Sequence, residues 1–379
     1  MLIIRKVQMI NKKISLVITV IMIATQSIPV LSEETVEVDG ATVAMVSHPF
    51  SDTNDKYVYY GAREFASAWN IEVTYNTPDI DSINELETEN PIEEAQTETI
   101  SGSRGEEETA VQIQEIYNQI KDPSVDALCV SAVQSDKVNN KLKNIMNMGI
   151  PVITWGSDAD PASRNIMVAP DSRKNMGEML VQLGVDCLNQ RDVKAESAAV
   201  KYCWLSSSQE TDEEVEWKKA GDKYILEKYP NWEKASDDGE KTITDLSDVD
   251  VILCTDQEIL IDQLEVMDKK NLTRDDITVT GFGVPSKIKK YCSDELIYEW
   301  GYWDLQLEGA VACYVAAYLG MGNVVRTGET ISIPYLGDYR IYENGVIDEN
   351  FGTGKVNSGV ILLDETIVLT EENADKFCF

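Results

Sequence analysis

The sequence predicts an α/β protein made of two doubly wound parallel-sheet lobes, and three observations predict it. Short apolar runs rich in β-formers alternate with stretches of helical periodicity along most of the 379 residues. One stretch, Val125 to Asp158, is a whole strand–helix–strand unit, which joins parallel strands with a right-handed crossover. The alternation then falls into two successive sets of repeats, enough for two sheets.

The central unit begins with Ala127 to Val133, too short for a helix and apolar throughout. Gln134, Ser135 and Asp136 supply turn and helix-capping chemistry. Val138, Leu142, Ile145 and Met146 recur at helical spacing, and Gly149 stands where a helix-terminating glycine belongs. Ile150 to Thr154 is the second strand.

Before this unit, Ala41 to Val46 predicts a strand, Val58 to Trp69 a helix and Ile71 to Tyr75 a strand. Residues 79–108 break the pattern: dense in Asp, Glu, Thr and Ser, they predict an exposed acidic insertion. Thr109 to Ile120 resumes as a helix. After the unit, Arg164 to Val168 crosses into a new region. Helices are expected over Asn175–Leu188, Glu213–Tyr229, Leu260–Lys270, Pro285–Tyr291 and Leu307–Leu319. Strands are expected over Ala198–Trp204, Val249–Cys254, Thr278–Phe282 and Leu296–Gly301, with closing strands at Tyr339–Tyr342 and Val360–Leu363.

The formal net charge of −33 argues against nucleic acid or an anionic membrane as partner, since both demand a basic face. Lys12 and Lys13 precede an apolar core from Ile14 to Ile28, followed by Pro29-Val30-Leu31-Ser32: a secretory signal peptide over residues 1–32 is expected, and an exported protein with it. No cysteine lies near the cleavage site, so no lipid anchor is expected. Cys129, Cys187, Cys203, Cys254 and Cys313 sit in apolar runs as small core residues. With a single histidine, His48, and no Cys/His cluster, neither a metal site nor a cofactor is expected. Phosphate-loop, dinucleotide, nucleophile-elbow and zinc-protease motifs are missing from the chain.

In open α/β sheets ligands bind beyond the carboxyl ends of the strands. Those ends carry His48, Asp136, Trp155, Asp158, Asp212, Glu213, Asp256, Gln257, Trp303 and Asp304, with Lys56 in the same loop as His48. The mixture suits a polyol: carboxylates and amides bond hydroxyls, and tryptophan covers the apolar C–H face of a sugar ring. Helix capping is the competing reading of Asp136 and Asp256, and a core position that of Trp303. Paired carboxylates would also serve a hydrolase, but two lobes closing on a ligand need no chemistry.

From Ala41 to Phe379 the chain resembles the periplasmic sugar-binding proteins of ABC importers, ribose-binding type, and within them the autoinducer-2-binding and rhamnose-binding branch. Val130–Asp136, Gly149–Asp158, Thr211-Asp212 followed by Trp217, Gly301–Asp304 and, most specifically, Asn357–Phe377 carry the resemblance. It implies a type I periplasmic-binding-protein fold. Three crossovers are placed near Asp158–Arg164, Gly301–Asp304 and Tyr335–Tyr342. They divide an N-terminal lobe (41–158 and 303–337) from a C-terminal lobe (159–302 and 338–379). The implied role is capture of a sugar or autoinducer-2-like ligand by a monomer that delivers it to an ABC permease. Presentation of the ligand to a membrane signalling receptor is the alternative. The resemblance places the branch's ligand-binding lysine at His48 and its first cleft aspartate at Gly156. Its Asp-Gln pair falls at Asp212-Glu213 and its carbonyl site at Thr255-Asp256-Gln257. The ligand is thus less fixed than the fold.

Overall fold

The computed structural model describes residues 38–49, 53–77, 104–206, 210–235, 248–348, 351, 358–364 and 366–377. The expected signal peptide and most of the acidic insertion lie outside these residues.

The first sheet is laid down by β1 (Thr42–Val46), α1 (Thr53–Trp69), β2 (Glu72–Asn76), α2 (Arg104–Ile120), β3 (Ala127–Val130), α3 (Asp136–Asn147), β4 (Val152–Trp155) and β5 (Ile166–Ala169). The chain then builds a second set: α4 (Arg173–Gln190), β6 (Val200–Leu205), α5 (Asp212–Lys228), β7 (Trp232–Lys234), β8 (Val251–Cys254), α6 (Gln257–Lys269), β9 (Thr278–Gly281), α7 (Pro285–Ser293) and β10 (Glu299–Trp303). It returns through α8 (Leu305–Gly320), β11 (Thr330–Ile333), β12 (Gly337–Tyr342) and β13 (Gly359–Leu362), and ends on β14 (Thr366–Thr370).

Two sheets result. The larger has the order β11-β12-β13-β5-β4-β3-β1-β2, parallel from β13 to β2. The smaller, β7-β6-β8-β9, is parallel throughout; a bridge from Phe282 to Gly301 brings β10 beside it, and β10 pairs antiparallel with β14. The strands β1, β3, β4, β5, β8 and β9 are buried along their whole length, as helices on both faces require. The α3 signals act as expected: Ser135 Oγ accepts from Val138 N at 3.1 Å, Val138, Leu142 and Ile145 are buried, and Gly149 has φ +94°.

Each sheet is covered by a helix pair that meets through glycine. A Cβ on Gly61 of α1 would lie 1.9 Å from the Gln306 carbonyl oxygen, and one on Gly309 of α8 would lie 1.8 Å from that of Val58. In the second set, a Cβ on Gly177 of α4 would lie 2.2 Å from the carbonyl oxygen of Trp217 in α5. Backbones this close leave room for hydrogen only.

Two expectations are corrected. The lobe boundaries fall elsewhere: β5 lies between β4 and β13, and β12 and β13 stay in the first sheet. The chain therefore passes between sheets at 169–173, 303–305 and 362–366, so only the expected crossover at Gly301–Asp304 coincides. Alternation of strand and helix fixes connections, whereas sheet neighbours are set by tertiary packing. The acidic insertion is also shorter than 79–108, because α2 begins at Arg104 and buries Glu108 and Thr109. The strands β7 and β11 have no clear apolar signal, whereas β14 carries the run Ile367-Val368-Leu369 and is not among the expected strands. The five cysteines expected in the core are buried, as is Cys292.

Candidate functional site

The carboxyl ends of both parallel sheets point toward one cavity of about 350 Å³. His48 follows β1, Ser131 follows β3, Gly156 and Ser157 follow β4, and Pro170 follows β5. Thr211, Asp256 with Gln257, Phe282 and Trp303 close it from β6, β8, β9 and β10. The volume suits a small molecule.

The wall from the first sheet is a hydrogen-bonded frame. Asp55, in the first turn of α1, accepts from His48 N at 3.1 Å and from Trp155 Nε1 at 3.4 Å. His48 Nδ1 donates to its neighbour Pro49's carbonyl at 2.7 Å, which leaves Nε2 as an acceptor in the neutral ring. Glu308, one turn into α8, accepts from Gly156 N and from Trp303 Nε1, both at 3.0 Å. Burial pushes Glu308 up to about 7, against the pull of those two N–H groups and helped by the charges of Asp55 and Asp304.

The opposite wall combines aromatic rings with the start of α5. Trp217, Phe282 and Trp303 meet edge to face, with centroids 5.4–6.3 Å apart. Thr211 caps α5 in a reciprocal box with Glu214, whose other oxygen accepts from Thr255 Oγ1 at 2.9 Å. Burial raises Glu214 to about 7. Glu213 Oε1 accepts from Arg173 at 2.8 Å, while Glu213 Oε2 and Ser157 Oγ are buried and have no partner among the described residues. Burial outweighs Arg173 and holds Glu213 above the usual carboxylate range. Such orphaned polar atoms cost free energy unless something enters to bond them.

Of the sequence-predicted residues, His48, Trp155, Glu213, Asp256, Gln257 and Trp303 line this cavity. Asp256 also caps α6, accepting from Ile259 N at 3.0 Å. Gln257 Oε1 accepts from Val284 N at 2.8 Å and so braces the β9 loop. Asp136 does not line the cavity and forms the first turn of α3.

Four more predicted residues are not placed in it. Asp158 is 1% exposed and fully engaged: Arg164 grips both its oxygens at 2.7 and 2.9 Å, and Thr154 donates to it as well. Arg164 also reaches Asn344 and the Gly359 carbonyl, so this ion pair ties the β4 loop to β13. Asp304 is the cap of α8, accepting from Gln306 N and Leu307 N at 3.0 Å each. Lys56 is exposed on α1. Asp212 opens α5, and its side chain lies outside the described residues.

Sequence reasoning missed Asp55, Ser131, Ser157, Glu214, Phe282 and Glu308. Glu308 did leave a signal: it is the one charge in the otherwise apolar helix from Leu305 to Gly320, and a carboxylate there must have a reason. Among the described residues no cluster of three or more His, Cys, Asp or Glu is arranged to hold a metal, and no helix is long and apolar enough to cross a membrane.

A family model described as a periplasmic binding protein domain matches residues 67–323, more than half of the chain. LsrB from Clostridium saccharobutylicum, solved in complex with AI-2, is 29% identical over 89% of this chain and 100% of its own, with a TM-score of 0.75. An ABC transporter solute binding protein from Clostridium phytofermentas with bound L-rhamnose is 17% identical over 89% of this chain and 98% of its own, with a TM-score of 0.69. AraP, an arabinose binding protein from Geobacillus stearothermophilus, is 13% identical over 89% and 99%, at 0.59. The last two share the fold.

Proposed function

Since the chain belongs to the periplasmic binding protein family, a family of binding proteins and not of enzymes, we propose that it is an exported protein that captures a small polyhydroxylated ligand, a sugar or a molecule like AI-2, and delivers it to an ABC importer. The observation that carries this reading is the cavity between the two sheets, walled by aromatic rings and lined by polar atoms, of which Ser157 Oγ and Glu213 Oε2 lack a partner. Ligand hydroxyls would bond these atoms, Nε2 of His48 and the carboxylates of Asp55 and Asp256. The rings of Trp155, Trp303, Trp217 and Phe282 would cover the ligand's C–H surface. Closure of the lobes would take it from water, and three crossings between the sheets provide the hinge.

The test is a thermal-shift panel on the chain without its first 32 residues: AI-2 with and without borate, rhamnose, ribose, other pentoses and buffer. A ligand at a hundred times its dissociation constant stabilises by about 2.7 kcal/mol, a shift of a few degrees. A shift with one or two of these compounds supports the reading. A flat response to all of them, repeated after unfolding and refolding to remove any bound ligand, contradicts it.

A further inference from the structure

The lining of this cavity is lopsided in charge. Asp55, Glu213, Glu214, Asp256, Glu258 and Glu308 all face it, and among the described residues no lysine or arginine does. Arg173 reaches Glu213 from outside the lining and gives its second arm to Asp348 at 2.9 Å.

Two carboxylates are set against indoles. Asp55 accepts from Trp155 Nε1 at 3.4 Å and Glu308 from Trp303 Nε1 at 3.0 Å. Trp303 belongs in turn to the edge-to-face group with Trp217 and Phe282. Both carboxylates meet the indole N–H at the ring edge, and carboxylates grouped with aromatic rings in one cavity are how proteins hold an organic cation. A cation is the ligand charge that complements an acidic lining of this kind; a neutral sugar gains nothing from it, and an anionic sugar would add to it. The second, independent sign of a ligand is the pair of unpartnered atoms: Ser157 Oγ and Glu213 Oε2 belong to residues each 4% exposed, and both residues line the cavity.

We propose that the ligand is a polyol bearing a protonated amine, an amino sugar or amino alditol, whose ammonium group sits by Asp55 and Glu308 against the tryptophan rings while its hydroxyls meet Ser157 and Glu213. This rests on the proposed function and narrows it. It makes Asp55 and Glu308 the residues that discriminate by charge.

The experiment is calorimetry on the chain without its first 32 residues with matched sets: glucose, galactose and mannose, their 2-amino forms and their uronates, at low and high ionic strength. At least one amino sugar is expected to bind tenfold or more tighter than its parent. That advantage should shrink with added salt, and the uronates should not bind. Glu308→Gln should remove most of the advantage of the amino form over its parent; if that variant does not fold, the salt dependence decides. Parent sugars binding as tightly as their amino forms, or any uronate binding, would overturn the inference and leave the proposed function standing. Binding by AI-2, rhamnose or a pentose with no amino sugar bound would overturn it in the same way. No binding by any of these compounds would overturn both.

Discussion

Two buried carboxylates near the same loop show how the molecule separates architecture from function. Asp158 and Glu308 are each 1% exposed. Asp158 meets a guanidinium in a two-pronged ion pair and lies away from the cavity. Glu308 accepts from the N–H groups of Gly156 and Trp303, lines the cavity, and is pushed up to about 7 by burial. The first carries a charge that folding has already neutralised. The second has no cation beside it among the described residues, so burial governs its protonation.

The comparison breaks most clearly by mutation of Asp158. Asp158→Ala strands Arg164 in the core and should cost about 3–5 kcal/mol in urea unfolding, whereas Glu308→Gln should stay folded. A smaller effect separates the two by pH. Glu214, Glu299 and Glu308 are all raised to about 7 by burial, above the unfolded value, so the native state binds protons that the unfolded chain has released. Stability is then fully present below the unfolded value and is lost as pH rises through 7. The ligand-free Tm should therefore fall between pH 5 and pH 8. Glu308→Gln should remove on the order of 3 kcal/mol of that dependence, and a slope unchanged in the variant would deny Glu308 its upward shift. Smaller again is Asp304→Ala, which removes the α8 cap: about 1 kcal/mol of stability should go with ligand affinity retained. The smallest is Lys56→Ala, which should alter neither melting nor binding.

The same contrast explains what the sequence could and could not reveal. Apolar runs such as Val251–Cys254 and caps such as Ser135 act locally, so the strands and helices of both sheets were legible. The strands β7 and β11 are short, with alternate residues exposed or two of three exposed, and they merge with their surroundings. Sheet order was hidden because β5 and β13 become neighbours only after 190 residues have been folded elsewhere, and the Arg164 clamp that joins them spans the same distance. In the site, strand-end position gathered Trp155, Gln257 and Trp303, which line the cavity, but could not tell a cavity aspartate from a paired one. Asp158 and Asp256 look alike in sequence, and what distinguishes them is an arginine six residues on that turns inward. Glu308 lay on a helix rather than at a strand end, where only its apolar surroundings marked it.

The central claim is that the cavity between the sheets is where ligand binds. The most direct measurement is calorimetric titration of the best compound from the thermal-shift panel into the wild-type chain, Trp303→Ala and Lys56→Ala. Trp303→Ala, whose lost ring lines the cavity and holds Glu308, should lose tenfold or more in affinity, and Lys56→Ala should keep wild-type affinity. Full affinity in Trp303→Ala, with the fold intact by circular dichroism, would place the site elsewhere.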